Sequence, residues 1–321
     1  MDLNKLFVNI QKGEISAISE GITLIESNKH SLLKLKNKLL ELCLPISGNS
    51  YRIAVSGIPG VGKSTFINEI SKYFIKENKK IAILTIDPSS AKSGGSIMGD
   101  KTRMHDISKS EKVFIRPSPS SGHLGGVNIH TKDAIILFEA AGYEIIIVET
   151  MGVGQSEFEV KNITDFFILL TITNTGDEIQ AIKKGIMEIT NLIVINKSDG
   201  NNIKKSQILK RNLTNHIISK NKTKIETCSS LKQKNIDVIY NIISNYFKKN
   251  ITTKKFSEKR KSQRIIWIEE KIKQQILKDF YKKNEIKKRI QKLSLGIEKN
   301  KLNFNNEINK IIKLYKSKNI K

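Results

Sequence analysis

Nine consecutive residues, Gly57-Ile58-Pro59-Gly60-Val61-Gly62-Lys63-Ser64-Thr65, restrict what this chain can fold into more than any other part of it. They follow the apolar run RIAVS and open KSTFINEISKYF, whose apolar residues recur at helical spacing. A G-x-x-x-x-G-K-[ST] loop between a strand and a helix is a phosphate cradle. Its glycines let successive backbone N–H groups turn inward, and the following helix adds the partial positive charge of its N-terminus. In such a loop Gly57, Gly60, Val61, Gly62 and Thr65 surround the phosphates, Lys63 reaches the β- and γ-phosphates, and the Ser64 hydroxyl is a ligand for Mg²⁺. The loop also dictates architecture, because ligands of open α/β sheets bind outside the carboxyl ends of the strands.

The apolar runs elsewhere agree with a sheet of that kind. Arg52–Ser56, Ile81–Ile86, Val113–Arg116, Glu144–Glu149, Phe166–Thr171, Leu192–Asn196 and Lys224–Cys228 read as strands. Several, such as EIIIVE and NLIVIN, do not alternate, which is how strands buried on both faces read. Helical patterns at Lys63–Phe74, Thr131–Ala141, Glu178–Ile189 and Ile236–Phe247 fall between them. Alternation of strand and helix implies right-handed βαβ units, so the expected fold is α/β, a doubly wound and mainly parallel sheet with helical extensions at both ends. Residues 1–48 read as an N-terminal helical region, with Ile15, Ile18, Ile22 and Ile25 on one stripe, and 49–250 as the P-loop domain. Residues 251–321 read as a C-terminal helical arm. One stripe there runs Ile265, Ile268, Ile272, Ile276, Phe280, and a second, beyond a break at Gly296, runs Phe304, Ile308, Ile311, Tyr315. Both stripes need a partner surface, either the chain's own core or a second copy of the chain, with a membrane surface as the less favoured third reading.

A second motif names the base. Asn196-Lys197-Ser198-Asp199 stands at the end of the run LIVI, and N-K-x-D in that position selects guanine. The Asp carboxylate accepts both the ring N1–H and the exocyclic amine, which adenine does not offer, so the expected nucleotides are GTP and GDP. Thr227-Cys228-Ser229 follows the next strand, where the loop backbone contacts the base; Cys228 is open to a second reading as a small core residue. Asp87 in TIDPSS and Glu149 in VETMG end strands on the edge that carries the phosphate loop, and both are candidate Mg²⁺ ligands. Asp100 and Arg103, in GGSIMGDKTRM, add a third acid and a cation able to stabilise transition-state charge. Gly152, three residues past Glu149, is placed to sense a γ-phosphate through its N–H.

Charge and cysteine content exclude other classes. Of 56 Lys and Arg, 33 lie after residue 200, against 9 of 31 acidic residues, so nearly all of the +25 net charge is C-terminal. Such a basic third raises nucleic-acid binding, but no aromatic interleaving accompanies it, and its Lys, Asn and Ile together point to compositional bias on solvated helix faces. No apolar run is long enough to span a membrane. The first residues resemble neither a signal nor a transit peptide, and Cys43 and Cys228 form no disulfide framework, so a cytoplasmic location is expected.

The segments ISEGITLIES, GIPGVGKSTFI, LTIDPSS, GGSIMGDKTRM, RPSPSSGHLGG, AAGYEIIIVETMGVGQSE, TGDEIQAIKKGIMEI and VINKSD together resemble the MeaB/ArgK/MMAA family of P-loop GTPases, and SQRIIWIEEKI is similar to that family's C-terminal helix. The resemblance implies a GTPase core between N-terminal helices and a C-terminal dimerisation arm. It implies a homodimer that chaperones an adenosylcobalamin-dependent acyl-CoA mutase of the methylmalonyl-CoA mutase type, gating cofactor delivery and protecting or restoring activity, with adenosyltransferase as a further partner. Adenosylcobalamin belongs to the client. By the same resemblance Mg²⁺ is held by Ser64, Asp87, Asp100 and Glu149, and Asn174–Lys184 forms a third switch in which Lys183 is tied to stimulated hydrolysis. Gln155 is a candidate to orient the attacking water. Asn174-Thr175 replaces the Pro-Gly-Ala type of sequence expected before Gly176-Asp177, and His123 stands where Thr is usual. Three alternatives remain: a nickel-insertion GTPase, for which a His-rich tract is missing; a kinase of an amino-acid transport system; and a GTP-switched nucleic-acid-binding protein.

Overall fold

A computed structural model describes residues 2–27, 29–87, 104–119, 129–150, 156–173, 184–217, 223–297 and 304–317. Two compact units compose the chain, Met1–Arg260 and Lys261–Lys321. The first is built on strands β1 (Tyr51–Ser56), β2 (Ile81–Asp87), β3 (Val113–Pro119), β4 (Ile145–Glu149), β5 (Phe166–Thr171), β6 (Leu192–Ile195) and β7 (Lys224–Thr227). Its helices are α1 (Leu3–Gln11), α2 (Ile15–Glu26), α3 (Leu33–Cys43), α4 (Lys63–Lys76), α5 (His105–Ser108), α6 (Ile129–Ala140), α7 (Ser156–Lys161), α8 (Lys184–Ile189), α9 (Asn202–Ile217) and α10 (Ile236–Asn250). Helix α11 (Lys254–Lys282) begins in the first unit, and α12 (Asn284–Ile297) and α13 (Phe304–Ser317) lie in the second.

All seven strands run parallel, in the order β3-β2-β4-β1-β5-β6-β7. The chain leaves central β1 toward one side and, after β4, crosses to the other, so β1 ends at the point where strand order reverses. Strand residues divide by parity. Ile53, Val55, Ile145, Ile147, Phe166, Ile168 and Val194 form one core with Phe66, Ile70 and Phe74 of α4 and Ile239, Ile243 and Phe247 of α10. Ala54, Ile146, Val148, Phe167 and Ile193 are buried on the opposite face, where Phe138 of α6 meets Phe114 of β3 at 5.5 Å. Two buried faces are the reason the strand sequences show no polar alternation.

Helices α1 to α3 pack with one another and on α6. A Cβ on Gly21 would lie 2.7 Å from Leu137 Cδ1 and 3.0 Å from Ile10 Cδ1, so glycine permits that three-helix approach. Ile18, Ile22 and Ile25 are buried as the stripe requires, whereas Ile15 is 53% exposed at the helix start. Beneath the sheet, at the amino ends of β1 and β5, two ion pairs fix the connections. Arg52 binds Glu139 of α6 at 2.9 and 2.8 Å, and Arg260 of α11 binds Asp165 at 2.6 Å and the carbonyls of Gly48 and Ser50.

Helix α9 was not expected, because its apolar residues form no clean stripe: only Ser206, Leu209 and Leu213 of its described side chains are buried, while Ile203 and Ile208 are exposed. In the second unit Phe280 meets Tyr315 at 5.2 Å and Arg289 pairs with Glu307 at 3.1 Å. Helix α12 runs one residue past Gly296, and a further break falls at Lys283, whose ammonium lies over the Tyr315 ring at 4.5 Å. Among the described residues no helix is long and apolar enough to cross a membrane.

Candidate active site

Register brings the expected residues to one edge. Val55 of β1 and Thr85 of β2 both lie opposite Glu149 of β4, so the phosphate loop, the end of β2 and Glu149 emerge side by side. The loop itself is closed by glycines. A Cβ on Gly57 would sit 2.5 Å from Leu170 O, and one on Gly62, whose φ is +92°, would sit 2.8 Å from Asn196 Nδ2. Gly62 then begins α4, with Phe66 N donating to its carbonyl at 2.9 Å. Lys63 Nζ donates to Gly57 O at 2.7 Å and Ile58 O at 3.3 Å, which holds the ammonium over the loop.

Ser64 Oγ donates to Glu149 Oε1 at 3.3 Å, and Glu149 is buried. A hydroxyl and a carboxylate at this separation are a hard-oxygen pair of the kind Mg²⁺ takes. The adjacent Thr150 Oγ1 is buried with no hydrogen-bond partner among the described residues. The donor chemistry therefore fits the metal. Asp87 ends β2 on the same edge, its side chain outside the description. Asp100, Arg103, Gly152, Gln155 and Lys183 all lie outside the described residues.

The residues expected to read the base form a second group, locked to the first. Asn196 is 2% exposed; its Nδ2 donates to Val61 O in the phosphate loop at 2.9 Å. Its Oδ1 accepts from Ser230 N at 3.0 Å, Ser230 Oγ at 2.9 Å and Cys228 Sγ at 3.4 Å. Asn196 thus staples the β6 end to both the phosphate loop and the β7 loop. Cys228 is at once a core residue and a neighbour of that staple, and burial pushes its thiol up to about 12, so it is a thiol at neutral pH. Asp199 accepts from Ser229 Oγ, which also accepts from Lys232 N at 3.1 Å and so fixes the β7 loop. Lys197, exposed and at φ +55°, turns the chain between them.

The phosphate loop and the N-K-x-D segment together are the arrangement a guanine-nucleotide site requires. A family model described as "Methylmalonyl Co-A mutase-associated GTPase MeaB" matches residues 18–285. The chain is a MeaB-family GTPase. It is 38% identical over 299 residues to GTPase ArgK of Escherichia coli (strain K12), spanning 91% of this chain and 90% of that one. The mitochondrial methylmalonic aciduria type A homolog of Mus musculus is 33% identical over 332 residues, 98% of this chain and 80% of its own. A crystal structure of a LAO/AO transport system kinase superposes with a TM-score of 0.75 at 30% identity, covering 98% of this chain and 97% of its own.

Two residues that the motifs do not mark contact the candidate site. Ser230 contributes two of the contacts to Asn196, and the only sign of it is a second serine in T-C-S-S. Glu157 is buried at the start of α7 with Oε1 3.5 Å from Ser56 Oγ at the end of β1, which ties the segment after Gln155 to the phosphate-loop strand. Its sign is an acid two residues beyond Gln155.

Proposed function

We propose that this chain is a Mg²⁺-dependent GTPase chaperone of an adenosylcobalamin-dependent acyl-CoA mutase, acting in the cytoplasm as a homodimer. In this reading nucleotide state sets affinity for the mutase, gates delivery of its cofactor and protects or restores its activity, with adenosyltransferase joining where cofactor is handed over. The family description and the methylmalonic aciduria type A relatives support the client class. The observation that carries the switch is Asn196, because one side chain bonds the phosphate loop and the base-reading loop together, so base recognition and phosphate geometry are mechanically one unit.

Lys63 exchanges its loop carbonyls for the β- and γ-phosphate oxygens of GTP. Ser64 and Glu149, with Asp87 and Asp100, would hold Mg²⁺, which when bound screens phosphate charge. Gln155 orients the water whose oxygen bonds to the γ-phosphorus while the β–γ bridging bond breaks and its electron pair leaves with GDP. Arg103 and Lys183 neutralise charge developing on the transferred group, and a client able to seat Lys183 would complete the site. Release of the γ-phosphate removes the group that the Gly152 N–H is expected to sense, and affinity for the client changes by the difference in contacts of the two states.

The deciding experiment is GTP turnover by the purified chain, alone and with a purified adenosylcobalamin-dependent acyl-CoA mutase from the same organism, with ATP and Lys63→Ala as controls. Slow, GTP-selective turnover that rises several-fold with mutase is the expected result. Turnover indifferent to every such mutase would overturn the chaperone role while leaving the GTPase, and transfer of labelled phosphate to a protein acceptor would favour the kinase reading.

A further inference from the structure

A cleft of about 600 Å³ opens at the edge of the sheet opposite the nucleotide site. Its walls come from three places: the amino ends of β5 to β7, the last turns of α10, and the first turns of α11. The floor is apolar, formed by Phe166, Ile242, Tyr246 and Phe256, with the Phe166 and Tyr246 rings edge to face at 4.9 Å. Around it stand Lys224, Lys249, Lys255 and Lys259, and no acid is among its lining residues.

Some lysines elsewhere in this unit sit on carboxylates, Lys72 on Glu69 and Asp106, Lys79 on Glu144 and Lys210 on Glu226. Among the described residues none of the four cleft lysines forms an ion pair with a carboxylate. Lys259 is the most buried of them. Its Nζ donates to the Asp165 backbone carbonyl at 2.8 Å, while the Asp165 carboxylate is bound by Arg260. Burial pushes the Lys259 pKa down, against the pull of Asp165, and the charges of Lys161 and Arg260 add to the fall. Asn191 closes the wall beside Lys259; its carboxamide oxygen accepts from Phe167 N at 2.8 Å, which leaves its amide N–H groups as the donors available to a ligand.

Four cations with no acid among the residues lining the cleft, three of them exposed at its rim, set up a positive potential, and the apolar floor adds a surface that a bare inorganic ion would not cover. We infer that this cleft is a second ligand site, for a small organic dianion that carries a phosphate-like head on a flat apolar body. The phosphate-like head pairs with the lysine rim, and the body lies on Tyr246 and Phe256. Because the walls include both sides of the elbow between α10 and α11, where Thr253 Oγ1 donates to Asn250 O at 2.6 Å, occupancy braces the point from which the C-terminal helix departs.

The test uses the full chain saturated with Mg²⁺ and GDP, so that the phosphate loop is taken, and titrates it calorimetrically with 1-naphthyl phosphate, with inorganic phosphate and with 1-naphthol. One naphthyl phosphate per chain is expected, at least tenfold tighter than either half-probe. A Lys249→Ser, Lys255→Ser double variant and, separately, Asn245→Trp at the exposed rim each weaken it at least tenfold, and Lys→Arg at both lysines restores it. Affinity for fluorescent GDP stays unchanged in all of them, since its residues lie at the other sheet edge. Equal binding by wild type and variants, inorganic phosphate as tight as naphthyl phosphate, or competition with GDP would each overturn the assignment.

Discussion

Asn196 is the residue on which most of the site depends. It is buried, it spends its carboxamide on two separate segments, the phosphate loop and the β7 loop, and any loss on either side leaves a buried polar atom short of a partner. Ser230→Ala removes the hydroxyl bond and keeps the backbone one, so GDP affinity is expected to fall about fivefold, the equivalent of about 1 kcal/mol, with kcat nearly unchanged. Titration with a fluorescent GDP analogue measures it. Asp199 poses the complementary case. Asp199→Asn presents an N–H group where guanine also presents one, whereas xanthine presents a carbonyl there, so GTP binding is expected to weaken by about 100-fold or more and XTP binding to gain. Competition between the two triphosphates reads the outcome, and unchanged preference for GTP would place the base elsewhere.

At the scale of elements, the ion pairs under β1 and β5 decide how helices are attached to the sheet. Burial by itself would raise the Glu139 carboxyl; the Arg52 charge, hydrogen bonds from Arg52 and Ser50, and the Arg260 charge outweigh it and hold the group below its ordinary value. Since the folded pKa lies below the unfolded value of about 4.3, the stabilisation is complete above that pH and is lost as pH falls through the folded pKa. Glu139→Gln is expected to cost about 3–5 kcal/mol at neutral pH by leaving Arg52 buried without its charge partner, and to flatten the acid side of the Tm–pH curve below about pH 4.3. Thermal melts across pH 3 to 7 settle it; parallel curves for both proteins would assign the acid sensitivity to other carboxylates. Strands were easier to read than helices for a physical reason: a strand buried on both faces needs an apolar side chain at nearly every position, whereas α9 buries only Ser206, Leu209 and Leu213 among its described side chains and leaves Ile203 and Ile208 exposed among polar residues, which blurs its helical stripe.

Over the whole molecule, the C-terminal third combines most of the positive charge with a row of uncovered isoleucines. Ile268 is 49% and Ile272 53% exposed on α11, and a stripe of that kind is stable in water only as scattered surface or as an interface. If it is the dimer surface, Ile268→Glu with Ile272→Glu yields a monomer in sedimentation velocity at concentrations where the parent is a dimer, while GTP binding in each chain is retained. The charge itself is expected to give only generic polyanion binding. Retention on DNA should vanish by moderate salt and show no sequence preference; retention that survives with a preference would revive the nucleic-acid reading.

The positions of the strands, the doubly wound parallel architecture, the phosphate loop, the N-K-x-D motif and the edge on which they meet were all legible in the linear chain, because each is a local requirement. Glycines must precede a helix N-terminus, a carboxylate must face guanine, and a twice-buried strand must be apolar throughout. Contacts between segments far apart in the chain were not. That Ser230 and Val61 share Asn196, that Glu157 reaches Ser56 and that Arg260 binds Asp165 depend on sheet order and register bringing residues 34 to 135 positions apart to one point, and the lysine-rimmed apolar cleft depends on the same packing of α10 and α11 under β5 to β7. Hydrogen bonds and ion pairs act over a few ångströms and leave no periodic trace in a sequence, so only the tertiary structure could decide them.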